Sequence, residues 1–157
     1  TPIRSSAASD VYKRQQLFYE KLDKHSILRL ATFYGPNMRT SLATSIFIEA
    51  LKNDEQISIH GTGLQTRCYT HVEDIASGII AVMDSNKNGI YNISSDEEMN
   101  VIDLIELIAG LMGKTANTVH VEDRFGQINK SKISSEKLQR LGWKPKYDLK
   151  SGLKTCI

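Results

Sequence analysis

The chain has 157 residues, 24% of them charged, and a formal net charge of +2; its cations are dispersed and not interleaved with aromatics, which excludes nucleic acid as an expected partner. The longest apolar run, within residues 75–83, is interrupted by Ser77 and Gly78 and is too short to span a bilayer, so no membrane partner is expected. Cys68 and Cys156 lack the spacing of a disulfide framework or a zinc site, which fits a reducing compartment and a cytoplasmic location.

Residues 1–15 carry almost no hydrophobic periodicity, and SSAASDVYKRQ at residues 5–15 reads as the in-frame translation of a transposase-type sequencing adapter. This segment is expected to be non-native, with native coding from near Gln16. Leu17, Phe18, Lys21 and Leu22 then predict a short amphipathic helix. Residues 26–33, SILRLATF, are mostly apolar and predict a strand covered on both faces, ended by the YGP turn at residues 34–36. Thr40 or Ser41 is expected to cap a helix through about Lys52 with Leu42, Ile46 and Ala50 on one face, followed by a strand over residues 56–60. A strand at 68–72 enters a helix at 73–84, and residues 89–93 form another strand. Asn100 caps a helix that runs to Met112 and stops at Gly113, its buried stripe being Val101, Leu104, Ile105, Ile108 and Leu111. A strand at 118–121, a polar loop, a helix at 134–141 and a last helix from about Asp148 complete the chain. Strands alternate with helices throughout, so the fold class is α/β.

The most concentrated chemistry lies in GTGLQTRCYTHVED at residues 61–74. Gly61 and Gly63 permit a tight turn and close approach to a ligand, and Arg67 at its exit offers a planar, permanently charged fork suited to phosphate. His71 has no nucleophile to pair with and reads as a packing or capping residue. Glu73 and Asp74 suit the field at a helix N-terminus. Asp96, Glu97 and Glu98 precede a capped helix, where acids are expected, and Arg39 is expected to hold a loop carboxylate. Trp143 and Pro145 read as packing and helix-terminating residues. A doubly wound sheet usually opens with a G-x-G-x-x-G turn that cradles a dinucleotide; this sequence has none, so the opening half of the architecture is expected to be missing.

Four blocks in order, RLATFYGP at 29–36, GTGLQTRCYTHVED at 61–74, GIYNIS at 89–94 and LGWKP at 141–145, resemble the C-terminal half of extended short-chain dehydrogenases of the NAD-dependent nucleotide-sugar epimerase/dehydratase family. The resemblance covers residues 16–157. It implies the C-terminal part of a Rossmann-type parallel sheet plus a small α/β substrate-binding lid. Residues 16–36 would end the Rossmann domain, and residues 37–157 would form the substrate-binding region with returning Rossmann elements around 68–112. NAD is the implied cofactor and a nucleoside-diphosphate sugar the implied partner.

By the same resemblance, the backbone at Ala31 borders the nicotinamide and Thr32 stands where many relatives contact the sugar nucleotide through asparagine. Arg67 and Arg124 match two phosphate-side arginines, and Gln127 follows where relatives often carry an acid near the nucleoside ribose. The family's Y-x-x-x-K pair would fall on Tyr12 and Gln16, but Tyr12 lies within the adapter-like segment and glutamine cannot carry the lysine's charge. The expected function is therefore recognition of the nucleotide sugar by a chain that lacks the redox machinery. A reductase of the same superfamily acting on a non-sugar carbonyl, and a non-catalytic binding remnant, are the rival readings. The family commonly forms homodimers through the helix represented here by Leu17, Phe18 and Leu22, so a defective interface is expected.

Overall fold

A computed structural model describes Lys21 and residues 25–157. The adapter-like segment and most of the helix expected around Leu17 lie outside these residues. Strand β1 (Ser26–Leu30) pairs in parallel with β5 (Gly89–Ile93). Strand β2 (Thr32–Tyr34) instead pairs in parallel with β4 (Thr66–His71). The single strand expected over residues 26–33 is thus two strands in two sheets. The change of partner occurs at Ala31, whose N–H donates to the Ile93 carbonyl at 3.0 Å while the chain beyond it turns to β4. Local apolarity carries no mark of such a break, because both strands satisfy the same pattern.

Strand β3 (Ile57–His60) pairs in parallel with β7 (Thr118–Val121). Two strands unforeseen in the sequence, β6 (Glu98–Asn100) and β8 (Lys130–Ser131), flank β4, the first antiparallel and the second parallel. At three and two residues they are too short for an alternating pattern to declare itself, and their pairing with β4 creates them.

Helix α1 (Ala43–Lys52) begins after Leu42, with no side-chain cap, so neither Thr40 nor Ser41 has the expected capping role. Leu42, Ile46 and Ala50 do share one face, while Phe47, Ile48 and Leu51, with Ala50, enter the core and Ile46 is 46% exposed. The helix has two apolar stripes, and Leu42, Ile46 and Ala50 wall a cavity. Helix α2 (Val72–Ser85) starts at Val72, one residue earlier than expected, and is capped by His71 Nδ1, which accepts from the Glu73 N–H at 3.3 Å. With Nδ1 accepting, Nε2 carries the proton and donates to the Thr155 hydroxyl at 3.1 Å.

Helix α3 (Val101–Met112) follows its sequence signals closely. Asn100 Oδ1 accepts from the Asp103 N–H at 2.8 Å, and Gly113 ends the helix at φ 65°, where a glycine meets no Cβ penalty. Leu104, Ile105 and Ile108 are fully buried. They pack with α1, β3 and α5 (Leu149–Lys154) in one core cluster. A second cluster joins Ile75 and Val82 of α2, Tyr91 and Ile93 of β5, Trp143, and Leu138 of the short helix α4 (Glu136–Gln139). That helix is one turn long, shorter than the expected 134–141.

Lys114, just past α3, closes the end of α1: its Nζ donates to the Leu51 and Lys52 carbonyls at 2.6 and 3.0 Å and to Asp54 at 2.8 Å. A cation there answers carbonyls that a helix leaves without intrahelical partners. Lys114→Met is expected to cost about 1–2 kcal/mol. Chemical denaturation would measure it, with faster amide exchange in the last turn of α1 as the local signature.

Candidate functional site

A cavity of about 630 Å3 opens between α1, β2, β3 and β4, within the range usual for small-ligand sites. Thr32, Arg67, Arg124 and Gln127 all line it. Arg67 comes from β4, Thr32 from the paired β2, and the other two from the loop after β7. Ala31 is 6% exposed and is not among the lining residues. Four of the five residues named from the sequence thus share one cavity, and the fifth sits at the sheet switch beside it.

Arg67 is steadied by a bond from Nη1 to the Thr66 carbonyl at 2.7 Å. Arg124 Nη2 lies 3.0 Å from His60 Nε2. The other ring nitrogen of His60 faces the Glu122 carbonyl at 3.2 Å, so Nδ1 must donate and Nε2 accepts from the guanidinium. Gln65 reinforces this wall by donating to the His60 carbonyl at 3.3 Å. Among the described residues neither Arg67 nor Arg124 forms an ion pair with a carboxylate, and both remain available to an anion.

The two glycines of the turn act differently from expectation. Neither lines the cavity. Gly63, at φ 74°, brings its carbonyl to the Val101 and Ile102 N–H groups at 3.0 and 3.4 Å, and a Cβ there would press on Ile102 and Ile59 at 2.7 and 2.8 Å. A Cβ on Gly61 would come within 2.8 Å of the Asp123 carboxyl carbon. The close approach they permit is to protein, not to a ligand.

The acids of residues 96–98 are each engaged separately. Asp96 accepts from Gln139 at 3.2 Å, Glu97 from the Leu149 N–H at 2.5 Å, and Glu98 from the Thr66 hydroxyl at 2.5 Å. The Thr66 bond above all, with Lys130 and Lys132 nearby, holds the Glu98 carboxyl below the usual carboxylate range. Asp74 is 1% exposed and accepts from the Lys146 and Tyr147 N–H groups at 2.7 and 3.1 Å, a tertiary role beyond the helix-end position expected of it. Trp143 packs as expected and donates to the Ser77 hydroxyl at 2.9 Å.

His60, Gln65 and Tyr69 also line the cavity and were not singled out in the sequence as site residues. Strand alternation from Arg67 points to Tyr69 on the same face; no comparable sequence signal existed for His60, whose partner comes from a distant loop. A second cavity of about 390 Å3, between α3 and the β3–β7 pair, contains neither arginine, and its Lys114 is already committed to α1.

Among the described residues, parallel strand pairs joined through helices, in one four-stranded and two two-stranded sheets, make an α/β protein, and its superposition on the solved structures below makes it one of the Rossmann type. Residues 19–94 match the family described as NAD dependent epimerase/dehydratase, and over this part the chain is a member of that family. It is 34% identical over 139 residues to dTDP-D-glucose 4,6-dehydratase of Bos taurus, covering 83% of this chain and 39% of the relative. It is 30% identical over 137 residues to a putative UDP-glucose 4-epimerase of Methanocaldococcus jannaschii, covering 85% and 45%. Among solved structures, dTDP-glucose 4,6-dehydratase of Bacillus anthracis in complex with NAD superposes with a TM-score of 0.88 at 25% identity, covering 99% of this chain and 51% of that one. UDP-glucose 4-epimerase of Thermotoga maritima with UDP-glucose superposes at 0.84 with 28% identity, covering 91% and 48%. The chain spans two fifths to one half of the length of these relatives.

Proposed function

We propose that this chain is the sugar-nucleotide recognition part of an NAD-dependent epimerase or dehydratase. The observation that carries this reading is the convergence of Arg67 and Arg124, free of carboxylate partners among the described residues, on one cavity of ligand size. Two guanidiniums suit the charge and acceptor geometry of a diphosphate. Thr32 and Gln127 then offer a hydroxyl and an amide to the sugar and nucleoside ends. Relatives with solved complexes hold UDP-glucose or UDP-glucuronic acid, which supports a nucleoside-diphosphate sugar as the ligand class.

NAD is the cofactor proposed for the whole protein, where it would accept a hydride from a sugar hydroxyl. The residues of this chain do not fit a complete NAD site: its sequence has no G-x-G-x-x-G turn and no Y-x-x-x-K pair, and only the Ala31 backbone is proposed to border the nicotinamide. No redox step is therefore assigned to its side chains. Their part is to bind and orient. The proposed division keeps residues 16–36 with the dinucleotide domain and residues 37–157 with the substrate side.

Isothermal titration of the 157-residue chain with UDP-glucose and dTDP-glucose tests the reading. Saturable binding that weakens with added salt and is displaced by UDP but not by glucose is expected. No heat with either sugar nucleotide at millimolar concentration would refute it.

A further inference from the structure

Tyr69 lines the cavity from the same strand as Arg67. It lies two residues beyond Arg67 on β4, so strand alternation sends both side chains to one face, and the parallel register sets Thr32 beside Tyr69. All three line the cavity. The residue is only 4% exposed, and its ring packs in the core cluster with Phe47, Ile57 and Leu104. Its hydroxyl nevertheless makes no hydrogen bond to protein among the described residues. Buried polar groups are normally paired, and among the described residues no side-chain nitrogen or oxygen sealed from solvent lacks a partner. Both facts hold together when the Tyr69 oxygen opens into the cavity while the rest of the ring is covered.

The chemistry of that oxygen selects its ligand. Burial raises the phenol above its ordinary pKa and the neighbouring Arg67 charge opposes this only in part, so the group remains protonated and can donate. A hydroxyl donor beside a guanidinium, both on one strand face, presents N–H and O–H groups to the same space. Such a pair favours an acceptor-rich, negatively charged oxygen, and the positive charge of Arg67 discourages a cation.

We propose that Tyr69 is a binding residue for the phosphate held by Arg67, its hydroxyl donating to a non-bridging oxygen. This rests on the diphosphate reading of the cavity and adds to it a third donor, from the strand that carries Arg67.

The test is Tyr69→Phe in the 157-residue chain, titrated with UDP-glucose and with inorganic pyrophosphate, beside Arg67→Ala. Phenylalanine keeps the ring and removes only an oxygen that has no protein partner among the described residues. The midpoint of thermal unfolding should therefore stay within about 1–2 °C of wild type or rise, a result that a structural role for the hydroxyl would not produce. Affinity for both ligands should fall about tenfold. Unchanged affinity in Tyr69→Phe, with a clear loss in Arg67→Ala, overturns this inference and leaves the diphosphate reading standing. A fall in the unfolding midpoint of several degrees also overturns it, since the hydroxyl would then serve the fold. Wild-type chain that binds neither ligand overturns both.

Discussion

Asp74→Ala is expected to lower the stability of the chain by about 3–5 kcal/mol, because each hydrogen bond to a buried carboxylate contributes on the order of 1.5–3 kcal/mol and the substitution removes two. Oδ1 and Oδ2 accept separately from the Lys146 and Tyr147 N–H groups, at 2.7 and 3.1 Å. Without the carboxylate both donors lose their partner in a setting that is 1% exposed at residue 74. The damage extends beyond those two bonds. The segment they hold connects Trp143, packed against Ser77, to α5, whose first residue Leu149 gives its carbonyl to the Tyr34 hydroxyl at 3.5 Å. It also places Tyr147 against His71, with ring centroids 4.0 Å apart. His71 ends β4, the strand that carries Arg67 and Tyr69. Asp74→Asn keeps one acceptor and should cost about half as much. Urea denaturation measures both, and cleavage by protease within residues 143–148 should accelerate first in the alanine variant. A loss below about 1 kcal/mol for Asp74→Ala would show that the two N–H groups find other partners.

Arg67→Met is expected to weaken UDP-glucose binding by about a hundredfold while leaving folding stability nearly unchanged. The guanidinium contributes charge-assisted bonds to the ligand, whereas its bond within the protein is only to the Thr66 carbonyl. Arg124 sits on an exposed loop and depends on His60 for its position, so Arg124→Met should lose about tenfold. If both arginines hold the same diphosphate, the double variant should lose less than the two single losses multiplied, since the ligand is already loosened by the first. Strict multiplication would place them on independent contacts. Equal loss of affinity and unfolding midpoint in Arg67→Met would assign the residue to the fold.

Helix α3 illustrates how far local pattern reaches. Its apolar positions recur at helical spacing, its cap is an asparagine and its stop a glycine, and all three signals act within one turn of the residues that carry them. The same holds for the strands at 89–93 and 118–121, where short apolar runs lie between turn residues. Helix α1 marks the edge of this reach. Its stripe of Leu42, Ile46 and Ala50 is real, but whether a stripe faces core or cavity depends on what other elements bring opposite it.

The sequence by itself determined the alternation of strands and helices, the ends of the best-capped helix, the absence of a dinucleotide turn and the identity of two arginines suited to an anion. Only the tertiary structure decided that the chain changes sheets at Ala31, that β6 and β8 exist, that Asp74 anchors a distant loop, and that Arg67 and Arg124 face one cavity with His60 and Tyr69. The division has a physical cause. Periodicity and capping record how one element meets solvent and its own backbone, whereas strand partners and cavity walls are set by contacts between segments far apart in the chain, on which local pattern places no constraint.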